Sequence, residues 1–395
     1  MTTKSEAEIV VRSSRIGTTM PLENEAHHRL LDERVFHPPP PLNLRQVRLI
    51  LSQRIQWDIA ELLPASTLSL RQQIDIIGLL RGAQEGTYVL YTYPKFVRQT
   101  GIGNRLFPWA RAYLFAKDHA VPIVWPNWVS FRRGPLLRGG VNWRDWPGKI
   151  YFFGNFKPNQ SYVHGLRKQA VLRTGQFYSE LDLPQLQKSR STSSHILIFE
   201  GDRNHFADFE GRQAELKAAL MSIASPRVIS ELKVSLPPIA LNIRRGKDFR
   251  DARDPHEFQT TGGLRTPLEW FILTLQRVRS LVGSEIGAYV ISDGDEVDLR
   301  PVLSLRNTVH IKTTTALADL LLISQARFLI ASGGSSFSAW GAFLSGAPTL
   351  CISGQSFTWF RLSANRVGVF DPLKSSEHDL LPYCATLTDA VEKGL

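Results

Sequence analysis

The second half of the chain alternates short apolar segments with amphipathic ones, and this alternation constrains the fold more than any other feature. The pattern predicts strands at Ile239–Ile243, Ala288–Ile291, Val309–Lys312, Phe328–Ala331 and Thr349–Ile352. It predicts helices near Pro267–Leu281, Leu317–Ala326 and Phe337–Leu344. Strands that alternate with helices indicate a doubly wound, largely parallel sheet. Such sheets bind ligands beyond the carboxyl ends of their strands.

Three polar clusters follow predicted strands, at Asn242–Asp248, Ser292–Asp295 and Ser332–Ser338. The first contains the adjacent Arg244 and Arg245 before a glycine. Arginine forks bind anionic oxygens bidentately, and glycine allows a sharp turn. Taken alone, the stretch is more typical of a solvated basic loop. Three such clusters at one sheet edge favour a diphosphate site.

The third cluster has a mechanism of its own. Gly333 and Gly334 permit a tight turn, after which Ser335 or Ser336 can cap the following helix. The free N–H groups of a helix N-terminus bind anions. The alternative is a capped, buried helix without a ligand. Because the chain has neither GxxxxGK[ST] nor GxGxxG, ordinary ATPase and dinucleotide-binding functions are disfavoured.

Composition excludes several other classes. The 395 residues include only two cysteines, Cys351 and Cys384, too few for a disulfide framework or a four-cysteine metal site. No run of about eighteen apolar residues predicts a membrane-spanning helix, and the N-terminus lacks the apolar core of a signal peptide. A cytoplasmic enzyme is therefore the default expectation.

The positive charge of the chain is concentrated in one region. Residues 91–190 carry 16 Lys and Arg against four Asp and Glu, a surplus that covers the whole net charge of +11. Concentrated positive charge indicates an anionic partner: nucleic acid, an anionic membrane face or a phosphorylated substrate. No helix-turn-helix, zinc-finger or RNA-recognition pattern accompanies it, so no specific nucleic acid is expected.

The chain divides into four predicted segments. Residues 1–41 form a loosely ordered tail that ends in a proline linker, and 42–85 form a helical extension of two helices. That extension is interpreted as packing against the body, with a contact between copies of the chain or a membrane-surface element left open. Residues 86–230 and 231–395 form two α/β domains. In the first of these we predict the helix Asn104–Lys117 and the strands Tyr88–Tyr93, Val121–Trp125, Ile150–Phe153 and Ile196–Phe199.

Four segments carry a family resemblance. Gly101–Phe107 (GIGNRLF) is similar to a GLGNQ(L/M)F motif, with Arg105 in place of Gln, and Asn242–Gly246 (NIRRG) is similar to HxRRGD. Ser335–Ala342 (SSFSAWGA) is similar to SSFSWWGA, and Ile291–Asp293 to an FSDD-like segment. In this order the chain resembles the α-1,2-fucosyltransferases, within the GDP-fucose-dependent fucosyltransferases that include α-1,6 and protein O-fucosylating enzymes.

The resemblance implies a GT-B-like α/β fold of two Rossmann-like domains, here with a helical N-terminal extension. It implies inverting transfer of fucose from GDP-fucose without a metal or other cofactor, with the nucleotide sugar in 231–395 and the acceptor on the 86–230 side. Arg244 matches the arginine that grips the β-phosphate, and Arg245 matches its partner. The remaining matches are donor-binding: Asp293 toward guanosine, Ser335, Ser336 and Phe337 in the nucleotide-binding turn, and Gly101, Gly103 and Asn104 facing the donor cleft.

The chain departs from the family pattern at three places. Asn242 replaces His, so it can hydrogen-bond a ribose but cannot titrate near neutral pH. Lys247 displaces the motif Asp to Asp248, and Ala339 replaces the first Trp. Asp248 is the preferred acceptor-activating base among the acidic and His residues of that loop. The others are Asp251, Asp254, His256 and Glu257. The pair Asp293 and Asp295 leaves a Mg²⁺ site as an alternative.

The expected acceptor is a glycan, anionic or lipid-linked, in bacterial surface or exported polysaccharide synthesis. The enzyme would then contact the inner membrane face peripherally. Four tryptophans are candidates for stacking on sugar rings, with burial in the core as the alternative: Trp125, Trp128, Trp143 and Trp146. Other functions left open are transfer from another nucleotide sugar and a degenerate, non-catalytic sugar- or polyanion-binding protein. A homo-oligomer is also left open.

Overall fold

The computed structural model describes residues 89–97, 100–129, 152, 154–182, 194–246, 248–254, 256–282, 286–362 and 367–392. Several predictions lie outside these residues: the tail and proline linker (1–41), the helical extension (42–85), and Trp143 and Trp146. Only Phe152 of the predicted strand Ile150–Phe153 is described.

The first sheet has five parallel strands in the order β3-β2-β1-β5-β4. Its strands are β1 Leu90–Lys95, β2 Ile123–Val124, β3 Tyr162–Val163, β4 Gln176–Ser179 and β5 His195–Glu200. The helices of this half are α1 Ile102–Asp118, α2 Gly165–Thr174, α3 Gln213–Ser222 and α4 Pro226–Glu231, with 3₁₀ turns at Glu180–Asp182 and His205–Phe209.

The second sheet has six parallel strands in the order β11-β10-β9-β6-β7-β8. They are β6 Ile239–Ile243, β7 Ala288–Ser292, β8 Thr308–His310, β9 Phe328–Ala331, β10 Thr349–Cys351 and β11 Val367–Val369. The helices are α5 Glu257–Thr260, α6 Leu268–Val282, α7 Glu296–Leu303, α8 Ala316–Ile323, α9 Ser336–Ser345 and α10 Glu377–Glu392, with a 3₁₀ turn at Phe357–Phe360. The chain winds outward from β6 in both directions, which is the Rossmann order, and the crevice at its switch point lies between β6 and β9.

The predicted α/β fold class with two Rossmann-like sheets is confirmed. The strands β6 and β9 have the predicted bounds, because all of their residues are buried and apolar runs mark them clearly. The pattern missed β3, β4 and β11, which lie at sheet edges and are only two to four residues long. The predicted division at residue 230 stays a prediction, since α3 lies before it and α4 crosses it, yet they pack against α9 and α8 of the second half.

The helices α1 and α9 bring the two halves together. Phe107 and Trp109 of α1 and Trp340 of α9 are fully buried, and the Phe107 and Trp340 ring centroids lie 5.2 Å apart. One hydrophobic cluster contains residues of both sheets. Because α1 follows β1 and α9 follows β9, this packing places the beginnings of both helices at the carboxyl ends of strands.

Burial removes three of the cations of 91–190 from the surface. Arg105, Arg111 and Lys168 are only 1%, 6% and 2% exposed, so they are internal groups and not part of a basic surface. Trp125 and Trp128 are also buried, which confirms the core alternative for these two residues. In the part of the chain that is described, no helix has the length and apolar character needed to span a membrane.

Candidate functional site

The end of β6 delivers Arg244 into a cluster of aromatic and acidic groups. Its guanidinium donates to Asp248 Oδ2 at 3.0 Å and pairs with Asp293 Oδ2 at 3.0 Å. The guanidinium carbon lies 5.0 Å from the Phe249 ring centroid and 5.9 Å from that of Phe337. Phe337 is in the first turn of α9, so the arginine of one strand end reaches the helix that follows another.

Asp293 organises the turn that carries the arginines. Its Oδ1 accepts the backbone N–H of Arg245 at 2.7 Å and of Gly246 at 3.0 Å. A Cβ at Gly246 would lie 2.5 Å from Asp293 Oδ2 and 2.7 Å from Asp248 Oδ1, so a side chain there would displace these carboxylates. The carboxylate predicted to contact guanosine is therefore used, in this structure, to hold the arginine turn.

The side chain of Arg245 contacts different residues from that of Arg244. Its Cβ packs over Gly294, where an added Cβ would approach to 2.8 Å, and its Nη1 lies 3.8 Å from Asp251 Oδ1. The same carboxylate accepts from Arg265 at 3.3 Å. Sequence patterns did not single out Arg265. The chain folds back on itself, with an isolated bridge between Arg250 and Leu264, and this brings Arg265 close to Asp251. The adjacent Gly262 and Gly263 were the sequence signal for this reversal.

Three arginines here share an unusual feature: the Nε atoms of Arg244, Arg245 and Arg265 are buried and have no hydrogen-bond partner. Leaving a buried donor unpaired costs about 1–3 kcal/mol. Two of the acids that hold their terminal nitrogens are largely exposed, Asp248 by 57% and Asp251 by 70% of the side chain, whereas Asp293 is 28% exposed. A ligand with several anionic oxygens would supply the missing acceptors.

The N-terminus of α9 forms the opposite wall. The backbone turns through Gly334 at φ +65°, and the Oγ of Ser335 then accepts the Ser338 N–H at 3.4 Å as the N-cap. A Cβ at Gly103 would lie 2.6 Å from Ser336 Oγ and 2.8 Å from the Phe337 nitrogen. The glycine-containing start of α1 therefore lies directly against the serine turn.

Asn242 joins the arginine turn to α9 from beneath. It is 1% exposed; its Nδ2 donates to the Ile291 carbonyl at 3.3 Å, and its Oδ1 accepts from Ser338 Oγ at 2.6 Å. The ribose contact expected of Asn242 has no open surface in this structure, because both ends of the amide are used internally. Its role is to position the turn.

The structure thus brings most of the candidate residues to one edge. Arg244, Asp248, Asp293, Phe337 and Gly103 meet there, and Arg245 lies next to them. Gly101 is the N-cap of α1, and no atom would lie within 4 Å of a Cβ added to it. Asn104 is exposed in the first turn of that helix. The beginnings of α1 and α9 and the end of β6 together form a cationic edge suited to a diphosphate.

The other acidic candidates differ in their availability. Asp295 caps α7 through the Asp298 N–H at 2.8 Å, and Asp254 accepts the His256 N–H at 2.7 Å. Hydrogen bonds from Arg250 and from the Arg253 N–H lower the pKa of Glu257 to about 2. Glu257 is therefore a poor general base. Asp248, close to Arg244 and exposed to solvent, remains the candidate base.

Comparisons with known proteins add the following. No family model and no curated protein matches the chain. Matching solved structures include the Bradyrhizobium NodZ α-1,6-fucosyltransferase crystallised with GDP, at 13% identity and a TM-score of 0.41, covering 65% of this chain and 93% of that one. POFUT1 in complex with GDP matches at 12% identity and a TM-score of 0.38, covering 66% and 95%. An Arabidopsis thaliana FUT1 variant with GDP matches at 13% and 0.39, covering 83% and 82%. Likenesses of this size assign no family.

Proposed function

We propose that this chain is a glycosyltransferase that moves fucose from GDP-fucose to a hydroxyl of a glycan acceptor. The observation that carries the proposal is the convergence of Arg244, with its unpaired Nε, on the first turn of α9. The four motif-like segments that resemble the fucosyltransferases supply the identity of the sugar and nucleotide. All four segments, which lie between residues 101 and 342 of the chain, meet at this edge.

The charges explain how the bond would break. As the bond between the sugar C1 and the β-phosphate oxygen lengthens, its electron pair moves onto the diphosphate. Arg244, Arg245 and the N–H groups at the beginning of α9 stabilise that negative charge, and preorganised groups of this kind account for most of the rate enhancement of many enzymes. Our proposal needs no metal, because these cationic groups neutralise the leaving diphosphate.

The acids of the loop have a second part in this proposal. Asp248 and Asp251 hold the arginines while no diphosphate is present, and they give up those contacts to the phosphate oxygens. Asp248 then accepts the proton of the acceptor hydroxyl. The oxygen of that hydroxyl attacks the sugar C1 from the face opposite the departing GDP. The sugar configuration is thereby inverted.

The direct test is a thermal-shift panel of GDP, GDP-fucose, UDP, ADP and inorganic pyrophosphate. We expect selective stabilisation by the two guanosine compounds. Arg244→Ala should weaken GDP binding by about 10- to 100-fold, because charge-assisted hydrogen bonds are lost. The matched control is Arg327→Ala, an exposed arginine at the opposite end of β9.

Two outcomes would contradict the proposal: an equal response to every anion, or full GDP binding by Arg244→Ala. Selective stabilisation by a different nucleotide would keep the proposal that the chain is a transferase and would change the proposed donor. Product analysis with GDP-fucose and candidate glycans then tests transfer itself. We also propose that the acceptor is assembled at the cytoplasmic face of a bacterial membrane, which sedimentation with anionic vesicles at low salt checks.

A further inference from the structure

An unusual aromatic residue lies beside the proposed donor site. Trp359 is 77% exposed, although it belongs to the 3₁₀ turn Phe357–Phe360 whose two end residues are buried at 0% and 8% exposure. Anchoring on both sides fixes the turn and presents the indole to solvent. An indole held out in this way leaves its large apolar face available to a ligand.

The segment that leads into this turn packs against the serine turn at the beginning of α9. Residues between β10 and this turn lie on Gly333, where any Cβ would overlap the carbonyl oxygen of Gln355. The Gln355 amide in turn donates to the carbonyls of Phe258 at 2.9 Å and Thr261 at 2.8 Å. Trp359 is therefore presented by a segment that packs directly against the turn leading into Ser335.

The first half of the chain completes this surface. Arg361 donates to Asn204 Oδ1 at 3.5 Å, and the Phe360 ring meets the His205 ring edge-on at 5.4 Å. Arg361, Asn204 and His205 all have left-handed backbones, at φ +53°, +53° and +47°. L-residues rarely adopt this conformation, and such residues tend to gather at ligand sites. The loops that follow β5 and β10 therefore meet here.

The charge of Arg361 is not matched by an acid. Its side chain is exposed, and within the described residues it forms no ion pair. An indole face offers a flat apolar surface to the C–H face of a sugar ring, and a guanidinium offers a fork to a carboxylate. The two residues are two positions apart in the chain, and a sugar that carries an acidic group offers a partner to each side chain.

We propose that Trp359 and Arg361 form the acceptor subsite, which binds an acidic saccharide with its ring on the indole and its carboxylate on the guanidinium. Its assignment as an acceptor site rests on the proposed glycosyl transfer. Binding of an acidic saccharide to this surface does not, so the two can fail separately.

The experiment uses the full chain and saturation-transfer NMR with GDP present. The probes are trigalacturonate, a hyaluronan tetrasaccharide and sialyllactose, each beside its neutral methyl ester. At least one acid form should bind, and its methyl ester should bind about tenfold more weakly because the pairing with Arg361 is lost. Trp359→Ala should also weaken binding about tenfold, and Trp359→Phe should retain part of it. The matched control is Leu373→Ala, at a residue that is 82% exposed.

Each result has a defined meaning. Failure of every acid form to bind, equal binding of acid and ester, or unchanged binding by Trp359→Ala would overturn the proposal. A change in oligomeric state of Trp359→Ala, measured by light scattering, would also overturn it, because the indole would then serve a contact between copies. GDP stabilisation should be unchanged in Trp359→Ala. If GDP fails to stabilise any form while an acidic saccharide still binds through Trp359, the proposed transfer fails and the saccharide site stands.

Discussion

Two arginine-centred regions, one in each half of the molecule, use the same side chain in opposite ways. In the first half, Arg111 of α1 is 6% exposed and every guanidinium nitrogen donates a hydrogen bond. Its two bonds to Glu180 are each 3.1 Å long. Its other acceptors are the carbonyl oxygens of Glu200, Gly201 and Arg203. This guanidinium closes the end of β5 onto α1 and has nothing left to offer a ligand.

In the second half, Arg244 and Arg245 leave their Nε atoms unpaired and their charge balanced by acids on an exposed loop. The difference teaches how to separate structural from functional cations. A buried arginine with a complete set of acceptors stabilises the fold, whereas under the proposed function an incomplete set at a strand end leaves donors for a ligand.

The largest expected effect comes from replacing Arg111, the arginine with a complete set of acceptors. Arg111→Met leaves the Glu180 carboxylate and three carbonyl oxygens without their donor, so the free energy of unfolding should fall by about 3–5 kcal/mol. Urea denaturation measures it. Arg244→Ala should lose less than about 1 kcal/mol in the same experiment, because its acid partners can turn to water. A larger loss of stability in Arg244→Ala than in Arg111→Met would break the comparison.

The next effect concerns the place where the two halves meet. Gly103→Ala would place a methyl group 2.8 Å from the Phe337 nitrogen, and backbone cannot yield as a flexible side chain can. We expect a loss of about 1–3 kcal/mol from overpacking, which outweighs the roughly 1 kcal/mol that alanine gains within a helix. GDP binding should weaken as well, because the beginning of α9 must shift.

Gly101→Ala is the matched control for this change. A Cβ at that position meets nothing within 4 Å, and the φ of −67° suits any residue. Urea denaturation should therefore leave the free energy of unfolding of Gly101→Ala near that of the wild type. Equal losses in the two variants would show that the start of α1 is generally sensitive, and that its approach to α9 is not the cause.

The sequence predicted much of the second sheet and little of what completes the site. The strands β6 and β9 were recognisable because buried parallel strands are continuous apolar runs. Arg265 was not, because only the folded chain brings it to Asp251. Asn242 illustrates a different limit: the resemblance to HxRRGD implied a ribose contact, whereas in the structure Asn242 is buried and its amide oxygen accepts from Ser338.

The cations of 91–190 also show where prediction from sequence ends. Composition counts Arg105 and Arg111 toward a basic surface, yet both lie inside and bind carbonyl oxygens. Whether a guanidinium ends in the interior depends on acceptors that come from distant parts of the chain. For Arg111 these lie 69 to 92 residues away, beyond the reach of local patterns.

The smallest expected effect lies at a third arginine, on the rim of the first half. Arg212 pairs with Glu215 at 2.5 Å and with Asp118 at 2.8 Å, and Lys117 pairs with Glu215 at 2.6 Å. These bonds, those from Arg212 foremost, lower the pKa of Glu215 to about 2 from its usual 4.5. The charged carboxylate therefore stabilises the fold above about pH 4.5, and this contribution is lost as the pH falls toward 2.

Glu215→Gln should consequently lower the free energy of unfolding by about 1–2 kcal/mol at pH 7. The difference from the wild type should shrink steadily between pH 4.5 and pH 2, where the wild-type carboxylate becomes protonated too. Urea titrations at several pH values measure it. Glu210→Gln is the control, since Glu210 is exposed and forms no ion pair within the described residues. If the loss of stability in Glu215→Gln did not change with pH, the effect would come from packing of the side chain and not from its charge. Arg212 would then resemble neither Arg111 nor Arg244.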